Sequence, residues 1–226
     1  MSRVEDPTDR IEQELFASGV RYIAGIDEVG RGAWAGPVSV GIAVGDAQAL
    51  TLLPKGVRDS KMLSPTRREQ LFPDIALAVS AYAVGHASAG ECDALGMTKA
   101  QALATKRAFG ELAVTPEAVI IDGIVNFTDF DRMVLLPGAD RLSLLVAAAS
   151  VLAKVTRDRM MVGLDANFPG YNFARNKGYP SPEHLEGLAD LGMADIHRKS
   201  WSFADRFQRC AGSVNAAQPE RLFSEG

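Results

Sequence analysis

Three apolar, strand-like runs in this chain each end on an acid beside a glycine. YIAGI (22–26) leads into Asp27, Glu28 and Gly30; AVII (118–121) into Asp122 and Gly123; MVLLP (133–137) into Gly138 and Asp140. Buried acids without partners are costly, so a chain built this way must either solvate these ends or neutralise them. Ligand sites in α/β sheets commonly lie just beyond strand ends. If the three ends meet, four carboxyl groups converge and need a cation between them. Oxygen donors with no histidine or cysteine beside them suit Mg²⁺ or Mn²⁺ rather than zinc. The plainer alternative is that each acid caps a strand and faces water, where most carboxylates are found. Periodicity alone does not choose between the two. Neighbouring strand residues point to opposite faces, so Asp27 and Glu28 can share a cluster only if the strand bends or ends there, which the following glycines permit.

The rest of the chain reads as one mixed α/β domain without repeats or an internal linker. GPVSVGIAVG (36–45) is a second strand, joined to the first by the glycine-rich VGRGAWAG, a length that suits an antiparallel hairpin. Ser64 and Pro65 are placed to start a helix. VSAYAVGHAS (79–88) fits a third strand, and 91–113 has apolar residues at helical spacing. A long helix over 143–168 is apolar nearly all round in its first half, as a buried helix is. Shorter helices are expected at 182–191 and 201–209. Residues 1–20 read as a polar, mildly helical segment before the domain of 21–209, and 210–226 as a loosely ordered tail.

Composition narrows the function. Twenty-four Lys and Arg against 28 Asp and Glu give a net charge of −4, which excludes a protein that coats nucleic acid by bulk positive charge. Cys92 and Cys210 cannot make a zinc site by themselves, and so little cysteine suits a reducing cytoplasm. The acidic start has no apolar run of the signal-peptide kind, and the longest uncharged run, 75–90, is shorter than a spanning helix needs. No membrane partner is expected.

Six ordered motifs carry a family resemblance: IDEVGRG (26–32), DSKMLS (59–64), VIIDG (119–123), GAD (138–140), AAASVLAKVTRD (147–158) and NKGYPSPEHL (176–185). In order and approximate spacing the chain resembles bacterial ribonuclease HII over about residues 20–202. The resemblance implies the ribonuclease H-like fold, a five-stranded mixed sheet flanked by helices with a helical C-terminal extension. It implies an endoribonuclease that hydrolyses the RNA strand of RNA/DNA hybrids and nicks duplex DNA on the 5′ side of an embedded ribonucleotide. Two divalent ions, Mg²⁺ or Mn²⁺, would leave 3′-hydroxyl and 5′-phosphate ends. A monomer is expected.

Carried over by position, the metal-binding and catalytic acids are Asp27, Glu28, Asp122 and Asp140. Asp140 is preferred to Asp158 because the family's fourth acid precedes the AAS serine, here Ser150, by ten residues. The resemblance assigns backbone contacts with the ribose to Gly30, Arg31 and Gly32, and bare glycine backbone suits a close approach. Tyr179 matches a tyrosine that packs on the sugar after the ribonucleotide; without the family it reads as a core aromatic. Ser60, Lys61 and Lys177 are candidate phosphate contacts, with Arg198 and Lys199 extending the track. For any one surface lysine plain solvation is the simpler account. His184 is assigned a structural role. Trp34 and Met62 depart from the family pattern, which usually has a smaller apolar residue and a second lysine there.

Two rivals remain: a module of the same fold that binds but does not cut, and a nuclease that cuts only long hybrids. An ATPase reading of the glycine loop fails, because no G-K-[ST] follows it. The tail segment QPERLF (218–223) partly resembles sliding-clamp docking peptides, with Arg221 at a usually apolar position. The charge is unevenly spread. Residues 1–20 hold five acids and two arginines; taking that net −3 and the four assigned acids out of −4 leaves +3 for the rest, compatible with salt-sensitive duplex binding.

Overall fold

The computed structural model describes residues 6–128 and 130–207. Among them, β1 (Ile23–Val29), β2 (Val38–Gly45), β3 (Ala81–Ala87), β4 (Ala118–Asp122) and β5 (Met133–Leu136) form one sheet in the order β3-β2-β1-β4-β5. The expected hairpin is present: β1 pairs antiparallel with β2, and β2 with β3, whereas β4 runs parallel to β1 and to β5. The helices are α1 (Arg10–Ala17), α2 (Ala47–Leu52), α3 (Pro65–Ala78), α4 (Ala89–Leu95), α5 (Met97–Gly110), α6 (Leu144–Asp165), α7 (Phe173–Asn176) and α8 (Pro182–Leu191).

Strand alternation sorts the core into two layers. Ile23, Ala43 and Ile120 pack with α3 and α6, while Ala24, Ile26, Val40 and Ile121 pack with α4 and α5. A third cluster joins the end of α6 to α7 and α8 through Met161, Leu164, Phe173 and Leu188. Glycine in β1 makes the first layer possible. A Cβ on Gly25 would stand 2.2 Å from the Leu145 carbonyl carbon, so α6 can lie on the strand only over bare backbone.

Several boundaries differ from expectation. The helix expected over 91–113 is two helices meeting at Gly96, and the first is started by a capping box between Ser88 and Glu91. The unforeseen α2 begins where the Asp46 carboxylate accepts the Ala49 N–H at 2.9 Å. Of the helix expected at 201–209, the described residues show a 3₁₀ turn, Ala204–Arg206. The tail, with Cys210 and QPERLF, lies outside the described residues.

The segment 1–20, expected to precede the fold, contributes α1 to it. Ile11, Leu15 and Phe16 pack on the first core layer. Glu12 is fully buried, and its Oε1 accepts the Ser143 hydroxyl at 2.6 Å and the Leu145 N–H at 3.1 Å, so it caps α6. Its Oε2 has no hydrogen-bond partner. Burial raises its pKa above the ordinary 4.5, against the pull of the bonds from Ser143 and Leu145. A raised folded-state pKa contributes stability below the unfolded value, and that contribution is lost as pH climbs through the folded one. Glu12→Gln has no such loss. Its melting temperature relative to the parent should therefore rise as the pH is taken upward from the ordinary carboxylate range in metal-free buffer. A difference that stays constant over that climb would show that this carboxyl does not titrate with folding.

Candidate active site

The parallel pairing of β1 with β4 ends at Ile26 and Ile121. One residue further on lie Asp27, where β1 continues without its β4 neighbour, and Asp122, the last residue of β4. Asp122 Oδ1 accepts the Ala139 N–H at 2.8 Å and so ties down the 3₁₀ turn, Ala139–Arg141, that carries Asp140. Gly138 leads into that turn in a left-handed conformation, φ 75°. Asp27 and Asp140 are both buried. Asp27 hydrogen-bonds Ser150 of α6 and accepts the N–H of Glu28 at 2.8 Å.

Glu28 takes the other face. β1 keeps its pairing with β2 through Val29, so the bend or strand end that the sequence left open, and that would turn Asp27 and Glu28 to one side, is not there. The Gln101 amide of α5 donates to Glu28 Oε2 at 3.4 Å, and the Arg31 guanidinium lies 3.8 Å from Oε1.

The four acids share one electrostatic field. Burial, opposed by the Ser150 hydrogen bond and reinforced by Glu28, Asp122 and Asp140, pushes Asp27 up to about 8. Burial with Asp59 and Asp122 raises Asp140 to about 6. Burial also raises Glu28, against the pull of Arg31. At Lys61 burial works against the charge, but Asp27, Asp59, Asp140 and Asp122 outweigh it and raise the pKa. Crowded oxygen donors that resist ionising together are the donor set a hard divalent cation satisfies, and in that chemical sense the residues fit such an ion. As placed, no three His, Cys, Asp or Glu side chains among the described residues already converge to hold one.

Asp59 is the acid that sequence reasoning passed over. It is buried, accepts the Lys61 N–H at 2.9 Å, and its negative charge helps raise the pKa of Asp140. Its signal was an acid placed to cap the short turn Ser60–Met62. Ser60, expected on a phosphate, is instead buried with its hydroxyl 2.9 Å from that of Ser150, and so supports the site from within. Lys61 is exposed beside the acids. Asp158 is paired with Lys154 at 2.7 Å.

The loop after β1 is held from beneath by two buried arginines. Arg157 of α6 donates to the carbonyls of Pro37 (2.9 Å), Lys177 (2.9 Å) and Ala35 (3.1 Å). Arg198 donates to those of Gly30 (2.6 Å), Arg31 (2.8 Å) and Gly36 (3.3 Å). Arg198 was expected on a surface phosphate track; it is fully buried and shapes the loop instead. Lys199 lies 2.9 Å from Asp195. Gly30 has φ +83°, and a Cβ there would stand 2.2 Å from Arg157 Nε. Gly32 meets nothing within 4 Å, so its bare backbone faces open space beside the exposed Arg31.

Tyr179 joins this loop directly. Its hydroxyl accepts the Gly30 N–H at 3.1 Å, and its ring faces Arg157 at 5.4 Å and Lys154 at 5.7 Å. Lys177, half-buried, bonds the Ala174 carbonyl through its ammonium and lines a groove of about 540 Å³ with Arg68, Lys154, Arg159 and Tyr179. Of the two departures, Trp34 stacks on Phe203 at 4.2 Å, and Met62 is exposed at the end of the turn that carries Lys61.

With this geometry in view, the family profile described as ribonuclease HII matches residues 24–204. The chain belongs to the ribonuclease HII family. It is 46% identical to the ribonuclease HII of Streptomyces coelicolor over 203 residues, covering 89% of this chain and 86% of that one. To a ribonuclease HII of Thermus thermophilus it is 48% identical over 195 residues, covering 85% and 91%. The crystal structure of ribonuclease H2 from Pyrococcus horikoshii superposes with a TM-score of 0.71 at 29% identity, over 83% of this chain and 97% of that one. The ribonuclease H-like fold and the expected family are thereby established, and the chain is a ribonuclease H hydrolase, an endoribonuclease for RNA/DNA. Ribonuclease H enzymes use divalent metal ions. Among the described residues no helix is long and apolar enough to cross a membrane.

Proposed function

We propose that this ribonuclease HII nicks duplex DNA on the 5′ side of an embedded ribonucleotide and cleaves RNA/DNA hybrids, leaving 3′-hydroxyl and 5′-phosphate ends. The observation that carries this reading is the Gly30 N–H bonded to the Tyr179 hydroxyl at 3.1 Å, which couples an aromatic ring to the glycine loop that begins two residues after Glu28. Asp27, Asp122 and Asp140 would hold two divalent ions from the α6 face, and Glu28, on the α5 side of β1, would reach them around the strand edge that β4 leaves unpaired beyond Ile26. Bound there, such ions lower the pKa of an attacking water and stabilise the leaving oxygen. The chain's own residues do the rest. Gly32, with the exposed Arg31 beside it, offers open backbone to the ribose and its 2′-hydroxyl, the group that tells RNA from DNA. Tyr179 packs against the following sugar, and Lys61 and Lys177 meet backbone phosphates.

The test is cleavage of three duplexes, one with a single ribonucleotide, one an RNA/DNA hybrid and one all-DNA, with and without Mg²⁺ or Mn²⁺. Cutting of the first two, dependent on the ion, is expected. An uncut single-ribonucleotide duplex, or equal cutting of all-DNA, would sink the proposal. Gly32→Ala sharpens it. With nothing within 4 Å the added methyl should leave stability within about 0.5 kcal/mol of the parent, yet slow cleavage by roughly tenfold by standing where the ribose must approach.

A further inference from the structure

Two buried histidines form a hydrogen-bonded chain that ends on the backbone of Tyr179. His184 and His197 are at most 1% exposed and sit among the rings of Trp34, Tyr171 and Phe173. Their Nε2 atoms lie 3.0 Å apart. His184 Nδ1 is 2.9 Å from the Tyr179 carbonyl, which can only accept, so that nitrogen carries a proton. In a neutral ring His184 Nε2 is then bare. His197 Nε2 must carry the proton between the rings, because two facing lone pairs would repel. This leaves His197 Nδ1 bare, and it accepts the Ala194 N–H at 2.9 Å, closer than the Ala194 carbonyl at 3.2 Å. One direction of donation runs through the pair: Ala194 N–H to His197, His197 to His184, His184 to Tyr179, while the Ala194 carbonyl is served instead by the His197 backbone N–H at 3.1 Å. Burial lowers the pKa of both rings, that of His197 to about 3, with His184 adding to the effect there.

The chain closes on the substrate loop. His197 precedes Arg198, whose guanidinium holds the Gly30 and Arg31 carbonyls, while the Gly30 N–H donates to the Tyr179 hydroxyl. Loop, arginine, histidine pair and tyrosine thus make a ring of contacts with no solvent-exposed member at the histidines. We propose that His184 and His197 are a pair of opposite tautomers that sets where Tyr179 stands against the Gly30–Gly32 loop, and so act as positioning residues for recognising the ribonucleotide-to-deoxyribonucleotide step. The recognition role rests on the function proposed above; the tautomer assignment does not.

Two measurements test it. Two-bond ¹H–¹⁵N spectra of the full chain near neutral pH should show His184 protonated at Nδ1 and His197 at Nε2. The same tautomer in both rings, or an imidazolium in either, overturns the assignment. In the second, the ratio of kcat/KM for the single-ribonucleotide duplex to that for the RNA/DNA hybrid is compared between variants. His197→Phe removes the donor to His184 and should lower this ratio about tenfold. His197→Gln keeps an amide donor at the same reach and should restore most of it. A ratio unchanged in His197→Phe, or both substrates lost equally in both variants, overturns the positioning role. If the parent itself shows no preference for the single ribonucleotide, the recognition role falls with the function it rests on, while the spectra still decide the tautomers.

Discussion

Asp27→Asn and Asp140→Asn should each lose cleavage by about a thousandfold or more, the scale of several kcal/mol that a held divalent ion contributes. The same substitutions should raise the melting temperature in metal-free buffer. Each replaces a buried carboxyl, surrounded by others of its own sign, with a neutral side chain of nearly the same shape. For Asp27 the oxygen that accepts the Glu28 N–H is kept. Millimolar Mg²⁺ or Mn²⁺ should stabilise the parent more than either variant, because an ion that binds only the folded state shifts its equilibrium. Asp158→Asn is the control, since Asp158 is already engaged by Lys154 at 2.7 Å, and a loss of no more than about tenfold is expected. Melting curves and initial rates on one substrate check all of this. If Asp140→Asn cuts normally while Asp158→Asn is dead, the fourth acid is misassigned.

Arg157→Met should cost about 3–5 kcal/mol of stability and take most activity with it. The guanidinium is fully buried and donates to three carbonyls on two segments far apart in sequence, Ala35 and Pro37 on one and Lys177 on the other. Methionine fills much of the volume but leaves all three acceptors without a donor, at about 1–3 kcal/mol each before relaxation. Arg157→Lys should fare little better, since one ammonium cannot span the fork that three separated oxygens require. Urea unfolding of the three proteins reads this directly, and a cost below about 1 kcal/mol would show that the loop supports itself.

What could be read in advance was local. Of the acids expected at strand ends, Asp122 does end β4, whereas Asp27 lies inside β1 and Asp140 in the turn after β5; the Ser64–Pro65 start of α3 was legible because a cap is a matter of a few adjacent residues. Long-range burial was not legible. Arg157, Arg198 and Glu12 carry charges that read as surface, and each is buried because distant segments deliver its partners. A signal for Arg157 did exist. Ser150, Lys154 and Arg157 recur at spacings of four and three along one face of α6, a polar stripe facing something worth keeping. The face of Glu28 was undecidable, since it depended on whether β1 stopped or continued beyond Asp27.

That stripe has a metrical consequence. Ser150 touches Asp27, and Arg157, seven residues along the same helix, sits under the Tyr179 ring. At about 1.5 Å per residue the two stations are about 10 Å apart along one unbroken axis. Under the proposed function, the gap between where the strand is cut and where its sugar is read is thus measured by helix pitch, as graduations on a ruler, rather than by the length of any loop. Inserting one residue between the two stations would turn the far one by about 100° and leave the blade and the gauge reading different nucleotides.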